Sequence, residues 1–327
     1  MTKIVVADNP LNEMSIAREL LPPSLDAVMA KHGSPEFNDA LADAECLVGF
    51  GDGTMDDAFY KRAPKLKLVQ LLSAGYDRID IEAARRAGVP VCNNGGANST
   101  AVSEHAIMLM LAVSRSLTWQ HANVSGGRWR GNNASSVKLF EMYGKTLGIV
   151  GLGTIGKKTA KLARAFGMRV QYYDVVRLSE EHAEQIGVRF ALLEELLKTS
   201  DIVSLHVPLL KETKHMINAE RLKMMKPSAY LINTCRGPVV DEPALIEALQ
   251  RGTIAGAGLD VFENEPAVAA GLLALNNTVL TPHLGSAVSE LRERMAHRVV
   301  DNILAILNGQ QPPDCWNPEI YAAASKE

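Results

Sequence analysis

A chain of 327 residues, 47% hydrophobic and 22% charged, is long enough for two ordinary globular cores. Its formal net charge of −3, with no long basic run, speaks against a nucleic-acid surface, and its longest apolar run, near residues 106–113, falls far short of a bilayer span. The start passes directly into a strand-like 3–7 segment without a signal-peptide core. The four cysteines (Cys46, Cys92, Cys235, Cys315) are widely spaced with no C-x-x-C pair, so reduced thiols, no metal site, no membrane and a cytoplasmic location are expected.

Strands are predicted at residues 4–7, 46–49, 68–72 and 89–92. Helical patterns lie between them near 12–21, 36–42, 56–62 and 80–87, an alternation that predicts a parallel sheet flanked by helices. Directly after the third strand comes Ser73-Ala74-Gly75-Tyr76-Asp77. In open parallel sheets ligands bind beyond the carboxyl ends of strands, so this turn fits either an anion cradle of backbone N–H groups or a plain strand-to-helix connection. Asn93-Asn94-Gly95-Gly96 is a break. It leads into a helix over 101–117, capped by Asn98, Ser99 or Thr100, with Val102, Ala106, Leu109, Met110 and Val113 on its buried face. Glu104 and His105 in its first turn suit a cleft or the helix end. Residues 119–144, polar and irregular, read as an arm or loop packing on a partner subunit.

The next stretch organises the rest. Residues 146–150 form a short buried strand, and Gly151, Gly153 and Gly156 match G-x-G-x-x-G before an amphipathic helix with Ile155, Ala160, Leu162, Ala163 and Phe166 apolar. The first glycine permits a tight turn, the second lets a pyrophosphate approach, and the third lets the helix pack on its strand. Free N–H groups at the helix start favour phosphate. A second strand, 169–174, ends in Asp174, near the ~20-residue offset of a carboxylate that holds an adenosine ribose. Such a carboxylate repels a 2′-phosphate and favours NAD over NADP, with Arg177 nearby as the opposing influence.

Further strands are predicted at 202–206, 229–233, 254–259 and 278–280, with helices at 192–198, 219–225 and 242–250. That completes a doubly wound sheet of six strands. A long amphipathic helix over 289–307 closes at Gly309 and Pro312-Pro313. It is too short to be a domain, so it is expected to return to the first one. The expected organisation is a discontinuous substrate domain, 1–98 plus 289–327, and a dinucleotide domain, 99–288, with two crossings flanking a cleft.

Three polar segments follow strands at the same carboxyl edge as the glycine loop. Arg236 lies past 229–233, Asp260 and Glu265 past 254–259, and His283 past 278–280. Singly, each reads as a salt bridge, a solvated loop or a structural histidine; converging at one rim, they read as a catalytic set. The other histidines, at 32, 105, 121, 182, 206, 215 and 297, lack such company. Only His206 ends a strand near the dinucleotide, in a packing or cofactor-edge role.

The combination of Gly151-Leu-Gly-Thr-Ile-Gly156, Asp174, His206-Val207-Pro208, Thr234-Cys235-Arg236-Gly237, Leu259-Asp260-Val-Phe-Glu-Asn-Glu265-Pro266 and Pro282-His283-Leu-Gly285-Ser286 resembles the D-isomer-specific 2-hydroxyacid dehydrogenases over nearly the whole chain. The branch is the one near D-3-phosphoglycerate dehydrogenase and hydroxypyruvate/glyoxylate reductase. The resemblance implies an α/β protein of two doubly wound parallel-sheet domains, a Rossmann-type NAD domain inserted into a flavodoxin-like substrate domain, usually a homodimer. It implies NAD(H) as cofactor and a small 2-hydroxy or 2-keto acid as substrate.

By the same resemblance His283 is the acid/base, Glu265 its carboxylate partner and Arg236 the substrate clamp, while Ser73 and the amides around Ala74 and Gly75 receive the substrate carboxylate. Gly151, Gly153, Thr154, Ile155, Gly156, Asp174, His206, Val207, Pro208, Thr213, Thr234, Cys235, Arg236, Asp260, His283 and Gly285 surround the cofactor. Phe50-Gly51-Asp52-Gly53-Thr54 lacks the arginine expected to hold a phosphate and no regulatory extension follows, which argues against phosphoglycerate. Glu265, where formate-oxidising relatives carry glutamine, argues against formate. Some proteins similar to this family are NADH-sensing corepressors that keep the same triad, so a binding role remains the alternative.

The residue types suit the chemistry. A guanidinium holds carboxylate and carbonyl oxygens together and stabilises developing alkoxide charge. An imidazole exchanges a proton near neutrality, and an adjacent carboxylate favours its charged form.

Overall fold

The computed structural model describes residues 2–8, 19, 21–23, 25–49, 55–73, 75, 79–131 and 137–324. The helical pattern read at 12–21 lies mostly outside the described residues, as do the 50–54 loop, Ala74 and residues 76–78. The chain divides into two compact units, residues 1–98 with 288–327 and residues 99–287.

The first unit holds five parallel strands, β1 (Thr2–Asp8), β2 (Leu25–Lys31), β3 (Cys46–Val48), β4 (Leu68–Gln70) and β5 (Val91–Cys92), in the order β2-β1-β3-β4-β5. Alternate residues face opposite sides, so β1 sends Ile4 and Val6 to one core and Val5 and Ala7 to the other. The first core is completed by Met295, Ala296, Val299 and Ile303 of the helix Ser289–Leu307, so the tail belongs to this unit. The other is filled by Phe37 and Leu41 of the helix Pro35–Leu41, Phe59 and Tyr60 of Asp57–Arg62, and Ala83 and Ala84 of Ile81–Arg86. Ser34, Asp56 and Asp80 cap those three helices, each accepting a backbone N–H three residues on.

The second unit holds seven parallel strands, β6 (Thr146–Val150), β7 (Arg169–Tyr173), β8 (Arg189–Phe190), β9 (Ile202–Leu205), β10 (Tyr230–Asn233), β11 (Gly256–Leu259) and β12 (Thr278–Leu280). Their order is β12-β11-β10-β9-β6-β7-β8. The order reverses beside β6, the strand that feeds the glycine loop, which is where a doubly wound sheet binds its ligand. The central strands are buried on both faces: Ile149, Ile202 and Ile232 join one core with Ala106, Leu109, Met110 and Val113 of the helix Ser99–Ser114, and Val150, Val203 and Leu231 join the other.

Both sheets match the predicted fold class, with two strands more than expected. The missed strands, β2 and β8, are edge strands. An edge strand is half solvated, so it lacks the continuous apolar run that announces a central one. The segment read as an irregular arm begins with a helix, Leu117–Ser125, which has a single buried residue, Asn123, and therefore no apolar stripe. Short helices at Glu180–Ile186, Ala270–Leu273 and Glu319–Ala324 were likewise not predicted.

Candidate active site

The glycine loop joins β6 to the helix Thr154–Ala165. Gly151 has φ +94°, where a side chain is strained, and a Cβ there would lie 2.6 Å from the His206 carbonyl oxygen. A Cβ on Gly156 would collide with the Gly151 carbonyl, so helix and loop are in backbone contact. Gly153 differs: no atom lies within 4 Å of a Cβ built there. It caps the helix without a side-chain hydrogen bond, leaving the first-turn N–H groups open to a ligand. Thr154 is exposed and Ile155 half-buried beside this opening.

Asp174, half-buried at the end of β7, accepts from the Leu152 N–H at 2.7 Å and the Val176 N–H at 3.0 Å. One carboxylate thus ties the strand end to the glycine loop. Arg177 lies over the Phe190 ring, 5.0 Å from its centroid, and 3.9 Å from Glu180.

Past β9, Ser204 Oγ pairs with His206 Nε2 at 2.9 Å, and burial pushes the imidazole down to about 4, so His206 is neutral at neutral pH. The chain from Val207 through exposed Pro208 is held by Thr213, whose hydroxyl donates to the Pro208 carbonyl and accepts from the Leu210 N–H, both at 2.7 Å. Past β10, the buried Asn233 side chain folds the next turn: Oδ1 accepts from the Cys235 N–H at 3.1 Å, and Nδ2 donates to the Arg236 carbonyl at 3.0 Å. Burial pushes the Cys235 thiol up to about 11, keeping it protonated. Arg236 donates from Nη1 to the Cys235 carbonyl at 2.7 Å. Thr234 Oγ1 is buried without a hydrogen-bond partner among the described residues, a polar atom suited to an additional ligand.

The loops that carry Arg236 and Glu265 are in contact. A Cβ on Gly237 would collide with the Phe262 carbonyl, so only glycine fits after Arg236, and the Phe262 N–H donates to Glu265 Oε1 at 3.0 Å. Glu265 Oε2 meets His283 Nδ1 at 2.8 Å. His283 sits in the left-handed region, φ +55°, fixed by its own N–H donating to the Asp260 carbonyl at 2.8 Å.

Asp260, 2% exposed, organises the loop around His283. Its carboxylate accepts from Thr281 Oγ1 at 2.6 Å, the Leu284 N–H at 3.0 Å and the Gly285 N–H at 2.8 Å. Burial works to raise its carboxyl, but hydrogen bonds from His105, Thr281 and Gly285 outweigh burial and hold it below the ordinary range.

The predicted site residues of this unit therefore fall along one rim of the sheet, and His283 and Glu265 touch. Ser73 and Gly75 belong to the other unit, where Ser73 Oγ donates to the Gly75 carbonyl at 2.7 Å; Ala74 is outside the described residues. Two further histidines, His105 and His215, each meet a carboxylate. His105 Nε2 lies 2.9 Å from Thr281 Oγ1 and 3.3 Å from Asp260, and His215 Nε2 lies 2.6 Å from Glu263. The partners lie far along the chain, so local pattern carries no signal of them. Asn233 is a further residue that shapes this rim, and an asparagine ending a strand before a small residue is its sequence signal.

The described residues contain no metal-binding group of histidine, cysteine and carboxylates, and no helix among them is long and apolar enough to cross a membrane.

Residues 107–285 match the profile of the family described as "D-isomer specific 2-hydroxyacid dehydrogenase, NAD binding domain". The chain is 45% identical over 288 residues to a glyoxylate reductase of Thermococcus litoralis, covering 87% of each chain. Among solved structures it superposes on a glyoxylate reductase from Paecilomyes thermophila with TM-score 0.86 and 31% identity, covering 95% of this chain and 97% of that one. It also superposes on a D-lactate dehydrogenase from Aquifex aeolicus, complexed with NAD and lactic acid, with TM-score 0.80 and 31% identity, covering 94% and 96%.

Proposed function

The chain belongs to the D-isomer-specific 2-hydroxyacid dehydrogenase family, and from that premise we propose that it reduces a small 2-keto acid of the glyoxylate and hydroxypyruvate class with NADH. It is an oxidoreductase interconverting 2-hydroxy and 2-keto acids with a nicotinamide cofactor. The relatives, named as reductases and dehydrogenases, lend nothing to the corepressor alternative. The observation that carries the reading is the 2.8 Å contact of His283 with Glu265 on the rim that bears the glycine loop.

Bound nicotinamide supplies the hydride. The roles assigned to the protein follow from its own groups. His283 gives a proton to the substrate carbonyl oxygen, Glu265 orients the imidazole through Nδ1, and Arg236 holds the substrate carboxylate and steadies the forming alkoxide. Gly151, Gly153, Thr154, Ile155 and Gly156 take the pyrophosphate. Asp174 takes the adenosine ribose hydroxyls, which favours NAD over NADP, and Arg177, engaged with Phe190, does little to offset it. His206, Val207, Pro208, Thr213, Thr234, Cys235, Asp260 and Gly285 complete the cofactor's surroundings. From the family resemblance, the Ser73–Gly75 turn takes the substrate carboxylate, residues 1–98 with 288–327 serve substrate recognition and residues 99–287 hold the cofactor. A homodimer in the cytoplasm completes the proposal.

The test is a steady-state panel of glyoxylate, hydroxypyruvate, pyruvate and bulkier 2-keto acids, each with NADH and NADPH. Highest kcat/KM for one of the two smallest polar acids with NADH is expected. Preference for a bulky acid removes the substrate class, equal use of NADPH removes the role of Asp174, and tight NADH binding without turnover removes the enzyme reading.

A further inference from the structure

Cys92 and Cys315 are 223 positions apart in the sequence, yet they face each other as an antiparallel pair between the end of β5 and the tail that follows the helix Ser289–Leu307. The flanking hydrogen bonds define the geometry. The Trp316 N–H donates to the Val91 carbonyl at 2.8 Å, and the Asn93 N–H to the Asp314 carbonyl at 3.3 Å. The two cysteines are therefore a non-hydrogen-bonded pair, the type whose Cα atoms approach to about 4.5 Å with side chains closest. That separation falls within the ~4.4–6.8 Å range a disulfide requires.

The pair is held in register. Asn317, fully buried, accepts from the Val91 N–H and donates to the Val89 carbonyl, both at 2.9 Å, and Arg85 pairs with Glu319 at 2.6 Å. Both thiols are free. Cys92 is fully buried, while Cys315 is half-buried and so the one an oxidant reaches. The Cys92 thiol donates toward Cys315, which lowers the Cys315 thiol below its ordinary value and raises that of Cys92.

We propose that Cys92 and Cys315 form a peroxide-oxidisable dithiol that closes to a disulfide and staples the carboxy-terminal tail to the sheet of the first unit. The Cys315 thiolate attacks a peroxide oxygen, the O–O bond breaks, and a sulfenic acid forms with release of hydroxide, or alkoxide from an alkyl peroxide. The Cys92 sulfur then attacks the Cys315 sulfur. The S–S bond forms, the S–O bond breaks, and water leaves with the Cys92 proton. Two thiols lose two electrons and two protons, and the peroxide is reduced. The staple falls where β5 anchors its neighbours: the Cys92 carbonyl accepts from the Leu71 N–H at 2.7 Å, and the Asn94 N–H donates to the Ser73 carbonyl at 3.2 Å.

The test uses the full chain, reduced, freed of reductant and exposed to hydrogen peroxide. Alkylation after denaturation should count four thiols before treatment and two after. The intact mass should fall by two hydrogens, a digest should yield one cross-linked peptide joining Cys92 to Cys315, and dithiothreitol should reverse all three changes. Cys92→Ser should stop at a Cys315 sulfenic acid captured by a 1,3-diketone reagent, and Cys315→Ser should leave Cys92 alkylatable. A count that stays at four, a cross-link between other cysteines, or overoxidation of Cys315 beside an alkylatable Cys92 overturns the proposal. These readings on the unaltered chain stand even where a variant does not fold. An oxidised protein that melts no higher than the reduced one removes the stapling role.

Discussion

The two rims of the second unit's sheet use charge differently. At the amino-terminal rim Asp201 accepts from the Thr146 N–H and from Lys226 Nζ, both at 2.8 Å, so its carboxylate is engaged in holding one strand's start against its neighbour. A cavity of about 530 Å³ opens on that side beside Phe140, Tyr230, Ala255 and Thr278, lined by no histidine or carboxylate among the described residues. At the carboxyl-terminal rim the buried carboxylate of Asp260 instead binds a loop, and the loop presents His283 in a conformation its backbone would not choose alone. The rim with the reactive groups is the one where polar side chains shape loops instead of pinning strands.

Three substitutions at the carboxyl-terminal rim test that contrast most severely. His283→Ala should lower kcat by ~10²-fold or more, with little change in NADH affinity, because it removes proton transfer and leaves the glycine loop intact. A nearly active variant removes His283 from the reaction. Arg236→Lys should lower kcat/KM by roughly tenfold to a hundredfold, since an ammonium cannot reproduce the forked contact with a carboxylate; wild-type kinetics would deny Arg236 the clamp. Glu265→Gln should lower kcat by roughly tenfold, because an amide replaces the carboxylate that orients the imidazole through Nδ1, and unchanged turnover counts against the pair. As the control on the opposite rim, Lys226→Ala should leave kcat unchanged and cost at most about 1 kcal/mol of stability, since that pair is partly exposed.

A middle-sized effect separates fold from ligand within the glycine loop. Gly156→Ala drives a methyl into the Gly151 carbonyl and should destabilise the protein by about 1–3 kcal/mol, seen as a lower denaturant midpoint. Gly153→Ala meets no protein atom within 4 Å, so its denaturant midpoint should stay near wild type while NADH binds about tenfold more weakly, a loss of ~1.4 kcal/mol. Two variants with the same profile would mean that Gly153, like Gly156, serves packing alone.

What was legible in the sequence follows from where each signal lives. Central strands such as 146–150 and 202–205 are buried on both faces and announce themselves as short apolar runs. The edge strands Leu25–Lys31 and Arg189–Phe190 are half exposed and give no such run, so no strand is predicted there. His283, Glu265 and Arg236 could be placed on one rim because each follows a predicted strand. The contacts of His105 with Asp260 and of Cys92 with Cys315 are products of tertiary packing and leave no local trace. The turn made by Asn233 does leave one, an asparagine at a strand end, because its hydrogen bonds reach only two and three residues on.

The smallest effect compares two carboxylates, buried Asp260 and partly exposed Asp201, as acid is added. At Asp260 and Asp201 alike, burial works to raise the carboxyl and specific donors prevail, so both folded values lie below the ordinary 3.8. A folded value lower than the unfolded one means that each group stabilises the protein fully above the ordinary carboxylate range, and that this contribution is lost as pH falls through the folded value. Asp201→Asn and Asp260→Asn should therefore each make the fall in denaturant midpoint between neutral and strongly acid pH shallower, without abolishing it, because the other carboxylate remains. Their activities should part company. The Asp201 variant keeps its kcat at neutral pH. The Asp260 variant loses the charge that fixes the Leu284 and Gly285 N–H groups around His283, and should lose turnover while still folded. Equal activity losses in the two variants would mean that the rims are not separate in function and that any carboxylate supporting the sheet matters equally.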